Sequence, residues 1–220
     1  MPAAIQQSQM ESDRLSAIKT IDSEIRAIEE LKKSLDAESL TKALDFMQNS
    51  TGRIIITGMG KSGHIGKKIA ASLASTGTPS FFVHPAEASH GDLGMITDDD
   101  VVIAISNSGE SRELIDILNY CKRFGIKLIA ITKNQDSSLG KAGDVVLLLP
   151  NNGEACPLGL APTSSTTATL VLGDILTIRM IERKGFSKED FNDRHPGGKL
   201  GSILKLSLIH ISEPTRQEAI

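Results

Sequence analysis

The sequence lacks the features that mark membrane, secreted and nucleic-acid-binding proteins. No apolar run approaches the ~18 residues that cross a bilayer, and residues 1–7 contain no charged segment leading into an apolar one, so we expect neither a membrane span nor a secretion signal. Lys and Arg form no block, and the net charge is −3 with a pI near 6.0. That balance disfavours nucleic acid and anionic membranes as partners. These absences predict a cytoplasmic protein.

Cysteine is also scarce. The chain has only Cys121 and Cys156, too few for a disulfide framework and not spaced like metal ligands. Cys156 could act as a nucleophile, but the sequence places no basic residue beside it, and a small packed thiol is the default. We therefore expect two reduced thiols and a site that uses neither a metal nor a cofactor.

What is present is enough apolar sequence for one core: 40% of 220 residues are hydrophobic. From Arg53 onward, short β-rich runs alternate with helical segments. This order predicts an α/β fold, a three-layer α/β/α sandwich around a five-stranded parallel sheet, with ligands bound beyond the carboxyl ends of the strands. The predicted strands are 54–57, 81–83, 101–105, 128–131 and 145–149, and the predicted helices lie near 62–76, 109–124, 136–142, 163–184 and 187–192.

The first fifty residues predict a helical hairpin that precedes the sheet. Apolar residues recur there at three- and four-residue spacing, which is typical of helices that pack on another part of a protein. The first helix carries Leu15, Ile18, Ile21, Ile25, Ile28 and Leu31, and the second carries Leu40, Ala43, Leu44 and Met47.

The most informative segment follows the strand at 101–105. Residues 106–111 read Ser-Asn-Ser-Gly-Glu-Ser and open a predicted helix, so hydroxyls, an amide and free backbone N–H groups converge where the helix dipole favours an anion. The pattern predicts a phosphate-binding turn, although a serine-rich helix cap has the same composition. Glu110 is awkward beside a phosphate unless it faces the rest of the ligand, where it could transfer protons.

A second strand-to-helix turn, residues 58–63, reads Gly-Met-Gly-Lys-Ser-Gly. It satisfies the dinucleotide pattern G-x-G-x-x-G, but His84 stands where an acidic ribose ligand would end the next strand. It also resembles the end of a P-loop, but that motif requires a glycine at position 55, where this chain has Ile55 inside the strand. A surface lysine on a tight turn is the plainer alternative. Because two such turns end strands of one sheet, we favour a shared small anionic ligand bound by Lys61 and Ser62.

Further candidates lie in the loops. Residues 162–167, Pro-Thr-Ser-Ser-Thr-Thr, begin the long helix with more hydroxyls than a cap needs, which indicates either a ligand or a capping run that faces neighbouring helices. Three loop histidines, His84, His90 and His195, are candidate acids or bases, and a solvated role is the alternative.

Together these segments resemble the sugar isomerase (SIS) domain family and, within it, the arabinose-5-phosphate isomerases. The resemblance covers about residues 10–205 and rests on segments 58–63, 84–94, 106–111 and 193–201. It implies interconversion of D-ribulose 5-phosphate and D-arabinose 5-phosphate through a cis-enediol, for Kdo and lipopolysaccharide synthesis. It also implies a homotetramer whose sites are shared between subunits.

The family's functional residues can be carried over position by position. The resemblance implies a catalytic set of Lys61, Glu110, Glu154 and His195, with His90 as a further active-site histidine. It implies substrate or phosphate binding by Ser62, Ser106, Asn107, Ser108, Ser111, Thr163, Ser165 and Thr166. Which group is base and which is acid stays open, as do two rival functions: a sugar-phosphate-binding regulatory module without turnover, and an isomerase of another phosphosugar. Four retained titratable groups favour an enzyme over a sensor.

The last residues depart from the family pattern. Many relatives continue into a pair of cystathionine-synthase-type (CBS) regulatory domains, whereas residues 206–220 do not resemble the start of such a domain. We therefore predict an isomerase domain with its N-terminal helices over 1–205. We expect residues 206–220 to be a tail foreign to the family, disordered or introduced by cloning or sequence assembly.

Overall fold

Five parallel strands form the centre of the computed structural model, which describes residues 3–195. The strand order is β2-β1-β3-β4-β5, so β1 and β3 are neighbours although β2 separates them in the chain. The strands are β1 (Ile54–Gly58), β2 (Ser80–Phe82), β3 (Val101–Ile105), β4 (Lys127–Thr132) and β5 (Val145–Leu148). The predicted five-stranded parallel sheet is thus confirmed, with strand bounds shifted by one residue at most.

Helices cover both faces of the sheet. They are α1 (Ala3–Ser34), α2 (Ala37–Asn49), α3 (Gly60–Ser75), α4 (Pro85–Ala88), α5 (Ile115–Phe124), α6 (Ser138–Ala142), α7 (Ser164–Lys184) and α8 (Lys188–Arg194), with 3-10 turns at Asp92–Met95 and Arg112–Leu114. The α/β/α sandwich predicted from the sequence is confirmed.

The alternation of side chains along each strand builds two cores. In β3, Val101, Ile103 and Ile105 join the core shared with α2, α3 and α7, while Val102 and Ala104 join the core under α4, α5 and α6. Every residue of β3 is buried, as expected for a central strand with helices on both faces.

The two N-terminal helices are confirmed, and each packs on α7. Asp36 caps α2 by accepting a hydrogen bond from the Ser39 backbone N–H at 2.7 Å. Ser23 bonds Ser164 at the start of α7 (3.2 Å between hydroxyls), and Ala27 and Leu31 are buried. The rest of the predicted apolar stripe of α1 is different: Leu15, Ile18, Ile21, Ile25 and Ile28 are all exposed.

Two local predictions need correction. The helix expected from 109 begins at 115, after a 3-10 turn, because Gly109 adopts a positive φ of 76° that no helix accommodates. The segment 84–94, predicted to be a loop, contains α4, which starts at Pro85 and so uses a residue suited to the first helical position. The boundary at 205 and the tail at 206–220 lie outside the described residues.

Within residues 3–195, no helix has the length and apolar character needed to cross a membrane.

Candidate active site

The candidate site is a crevice where the order of the strands reverses. The chain leaves β1 towards α3 on one face of the sheet and leaves β3 towards α5 on the other, and Gly58 and Ile105 are paired at the carboxyl ends. Ligands of open α/β sheets bind at such switch points. The two turns selected from the sequence, 58–63 and 106–111, therefore line one crevice.

The turn after β1 is tight because it lacks side chains. A Cβ atom on Gly58 would lie 2.9 Å from the Ile105 carbonyl oxygen, and one on Gly63 would lie 2.5 Å from the Gly58 carbonyl oxygen. Gly60 has a φ of 54°. This turn places exposed Lys61 and half-buried Ser62 in the first turn of α3, where backbone N–H groups also favour an anion.

The turn after β3 is held by its own hydroxyls. The Ser106 side chain is buried, contacts the Ser111 hydroxyl at 2.8 Å and accepts the Gly109 backbone N–H at 3.1 Å. Ser108 is exposed and accepts the Glu110 backbone N–H at 3.2 Å. The side-chain oxygen of Asn107 is buried without a hydrogen-bond partner. Three hydroxyls are thus held at the crevice by hydrogen bonds within the turn, and the Asn107 amide beside them keeps an unpaired oxygen.

Glu110 is oriented by a loop that carries no sequence motif. Its carboxylate accepts the Ser138 backbone N–H at 2.9 Å and the Ser138 hydroxyl at 2.7 Å, and these bonds lower the pKa of Glu110. Ser137 lies directly against Gly109. The only sequence signal for this loop is its place after β4, the next strand along the same edge, in the polar run Asn-Gln-Asp-Ser-Ser at 134–138.

Glu154 caps the long helix. Its carboxylate accepts the Thr163 N–H at 2.8 Å, the Thr163 hydroxyl at 3.1 Å and the Ser165 N–H at 3.2 Å. Burial alone would raise the pKa of Glu154, but the hydrogen bonds from Ser165 and Thr163 outweigh it and hold the pKa below its usual range. Thr166 bonds the Thr163 carbonyl oxygen at 2.7 Å. In this chain the start of α7 therefore already binds a carboxylate.

The loop histidines occupy three different settings. His84 precedes α4 at the carboxyl end of β2, edge-on to Phe82, and its buried Nδ1 has no partner. His90 is exposed just after α4, and α4 contacts the 3-10 turn that follows residues 106–111.

His195 is not brought to the crevice of its own chain. It stacks on Phe191 with ring centroids 3.8 Å apart, and its Nδ1 is 2.8 Å from the Phe191 carbonyl oxygen. Lys184, at the end of α7, contacts the Gly77 carbonyl oxygen in the turn that precedes β2. The 21 residues of α7 span about 30 Å. His195 follows α8 at this far end, whereas Lys61 and Ser106 lie at the carboxyl edge.

The remaining chemistry is sparse. Among residues 3–195, no group of three His, Cys, Asp or Glu side chains could hold a metal ion. Burial raises the pKa of Cys121 to about 12, so this thiol is inert. A cavity of about 590 Å³ lies elsewhere, between the α1–α2 turn and the outer edge of β5, and none of the site residues named above lines it.

Comparison with known proteins defines the class first. A family model described as the SIS domain matches residues 47–179, which include β1 to β5, both turns and most of α7. The chain belongs to the SIS domain family.

Individual relatives narrow the comparison. The chain is 55% identical over 201 residues to "Arabinose 5-phosphate isomerase KdsD" of Pseudomonas aeruginosa and 54% identical over 199 residues to the protein of the same name in Francisella tularensis. These matches cover 90% and 89% of this chain, and 61% of each relative. The chain thus spans about three fifths of the length of these relatives.

A solved structure is also similar. The structure of the E. coli CFT073 protein c3406, solved in complex with arabinose 5-phosphate, is 43% identical, with a TM-score of 0.80. The match covers 84% of this chain and 98% of that one.

Proposed function

We propose that this chain is an aldose–ketose isomerase that interconverts D-ribulose 5-phosphate and D-arabinose 5-phosphate. The observation that carries the proposal is the pair of turns at the switch point, one with Lys61 and Ser62 and the other with five polar side chains from Ser106 to Ser111. Similarity to two proteins named arabinose 5-phosphate isomerase, and to a protein solved with arabinose 5-phosphate, supports the choice of substrate.

The phosphate would bind at the two turns. Ser62, Ser106, Asn107, Ser108 and Ser111 supply hydroxyl and amide donors, and the α3 N-terminus supplies backbone N–H groups. Thr163, Ser165 and Thr166 belong to the same proposed site, but the Glu154 carboxylate repels an anion there. We therefore assign the phosphate to the 106–111 turn and the sugar hydroxyls to the start of α7.

The proposed reaction needs one proton moved between neighbouring carbons. In the open-chain aldose, a base removes the proton from C2 while O1 gains a proton, which gives the cis-enediol. Return of a proton to C1 and loss of one from O2 gives the ketose. Lys61 near the enediolate oxygens stabilises charge that develops in the transition state, typically by ~3–4 kcal/mol for a well-aimed donor.

The two carboxylates and the histidines divide the proton transfers. Hydrogen bonds lower the pKa values of Glu110 and Glu154, so both carboxylates are ionised near neutral pH, and we assign ring opening and the transfer of hydroxyl protons to one of them. His195 is our leading candidate for the C1–C2 proton, with His90 as a further active-site group.

The proposed assembly follows from the position of His195. Because this residue follows the end of α7 that is far from Lys61, we propose that it acts at a site of another copy. This supports an oligomer with shared sites, which the family resemblance predicts to be a homotetramer. Cytoplasmic location stays a prediction from composition.

The decisive experiment is a coupled assay of the purified chain with ribulose 5-phosphate, arabinose 5-phosphate and hexose phosphates. We expect turnover of the two pentose phosphates, unchanged by a chelator, and none after Lys61→Ala. Binding without turnover would favour the regulatory module, and turnover of a hexose phosphate alone would favour the other isomerase.

Ser108→Ala tests the phosphate site separately. The lost charge-assisted hydrogen bond, about 1.5–3 kcal/mol, should weaken substrate binding roughly ten- to a hundredfold without loss of thermal stability. Ser75→Ala is the matched control, because this serine lies at the C-terminal end of α3, whereas the crevice lies at the N-terminal end of that helix. Equal Michaelis constants for both variants would show that the phosphate does not bind at this turn.

A further inference from the structure

The first half of α1 extends from the domain without a partner in its own chain. Every side chain from Gln6 to Asp22, a segment that we call the arm, is exposed. The first side-chain hydrogen bonds from α1 to α7 come from Ser23 and Glu24, which bond Ser164 and Thr167. The arm's side-chain hydrogen bonds stay within the helix: Gln9 with Asp13, Arg14 with Glu11 and Thr20 with Ser16. About 25 Å of helix is therefore unsupported by packing.

An unsupported helix of this length is marginal in water. Most helical stability in proteins comes from burial of an apolar face. The end of the arm and the next residues of α1, 23–28, have such a face, turned away from α7. Its residues are Ile18, Ile21, Ile25 and Ile28, at spacings of three, four and three. Their side chains are 39%, 57%, 47% and 37% exposed. This is the a/d spacing of a helix that pairs with another helix.

The charges beside this stripe are complementary to those of a second, antiparallel copy of α1. Glu11 and Arg14 precede the isoleucines, and Glu29 and Lys32 follow them; all four are exposed. The pairs Glu11 with Lys32, Arg14 with Glu29 and Ile18 with Ile25 are each centred on one point, between residues 21 and 22. A second α1 running in the opposite direction would place each positive charge near a negative one. A parallel second copy would place like charges together.

We propose that the stripe of α1 is an interface with α1 of a second copy of this chain, antiparallel and related by a two-fold axis near residues 21–22. Such an interface is self-complementary, as two-fold contacts between identical chains are. An anionic membrane is a poor alternative, because the acidic side chains along the stripe, Glu11, Asp22 and Glu29, offset the basic Arg14 and Lys32.

The first test is the mass of the purified full chain by light scattering after size exclusion. Ile21→Lys with Ile25→Lys should halve the mass of the wild-type assembly. Glu30→Lys is the matched control, since it adds the same two units of positive charge at an exposed position of the same helix off the stripe, and it should leave the mass unchanged. A monomeric wild-type chain, or a doubly substituted chain of wild-type mass, would overturn the proposal.

The second test addresses direction and does not touch the isoleucines. Arg14→Glu and Glu29→Arg should each increase the dissociation constant of the assembly several-fold, and the chain with both changes should recover wild-type association. If the double variant dissociates more than either single variant, the antiparallel arrangement is wrong. Both tests measure association, so their outcome does not depend on isomerase activity, and circular dichroism confirms that each variant is folded.

Discussion

Asp100 shows how a single buried charge is made acceptable. Its fully buried carboxylate accepts the Arg53 N–H at 2.6 Å and the Thr97 N–H at 2.8 Å, and the Arg53 side chain lies 3.5 Å away. Burial would raise the pKa of Asp100, but the bonds from Thr97 and Arg53 outweigh it, and the pKa falls below its ordinary value. The residue therefore couples the turn before β3 to the start of β1, most strongly when it is ionised.

We predict that Asp100 makes the fold sensitive to acid. A lowered pKa means that the ionised carboxylate stabilises the protein at every pH above about 4, and that this stability is lost as the pH falls through the lower pKa of the folded state. Asp100→Asn should reduce the free energy of unfolding at pH 7 by about 1–3 kcal/mol, with a smaller deficit near pH 3. Urea titrations at both pH values check this, with the exposed Asp98→Asn as control; an equal deficit at both pH values would contradict it.

Gly109 sets the shape of the phosphate-binding turn. It has a φ of 76°, and a Cβ there would overlap the Ser137 side chain and approach Thr132 Oγ1 at 2.9 Å. Gly125, at the end of α5, has a similar φ of 68° but open space around it. The two glycines separate backbone strain from crowding.

We expect Gly109→Ala to cost about 2–4 kcal/mol of stability, because left-handed strain and overpacking add. Gly125→Ala should cost about 1–2 kcal/mol, from strain alone. Only Gly109→Ala should also weaken substrate binding. Thermal unfolding of both variants measures the difference, and equal losses would show that Ser137 does not confine the turn.

At the scale of elements, the contact between α3 and α7 aligns the two helix starts at the crevice. Gly173 of α7 lies against the side chain of Ile69 of α3, so closely that a Cβ would overlap it. Both helices begin at the carboxyl edge, at Gly60 and Ser164. The absent side chain thus fixes the spacing between Lys61 and the α7 cap.

We predict that Gly173→Ala destabilises the protein by about 1–3 kcal/mol, although alanine in a helix interior ordinarily stabilises by up to about 1 kcal/mol. Ile69→Ala alone should cost about 2–5 kcal/mol because it leaves a cavity. In the double variant the new methyl group fills part of that cavity, so the losses should not add. A double-mutant cycle by urea denaturation tests this; additive losses would mean that the helices do not touch there.

At the scale of the whole molecule, the proposed function predicts complementation between chains. His195→Ala chains should be inactive because a general acid–base group contributes typically 10²–10⁴-fold to rate, and Lys61→Ala chains because a donor aimed at transition-state charge contributes roughly 10²–10³-fold. Mixed assemblies should regain activity at sites that combine an intact Lys61 of one copy with an intact His195 of another. Failure of demonstrably exchanged mixtures to recover turnover would exclude shared sites.

Much of the architecture was determined by the sequence alone. The order of strands and helices follows from local periodicity, which each segment carries by itself. The turns 58–63 and 106–111 could be paired in advance because carboxyl ends of parallel strands share an edge. Lys61, Ser62 and the 106–111 hydroxyls could therefore be placed at one crevice before any coordinates.

Only the tertiary structure decided where the distant groups point. No local pattern reveals that Glu110 accepts hydrogen bonds from Ser138 or that Glu154 caps α7. Nor does a local pattern reveal that His195 lies beyond the end of α7 that is far from the crevice. The same holds for α1: its spacing predicts a helix with an apolar face, but the partner of that face depends on packing. Such contacts join residues far apart in the chain, so their geometry is set by how whole elements stack, which a local pattern does not encode.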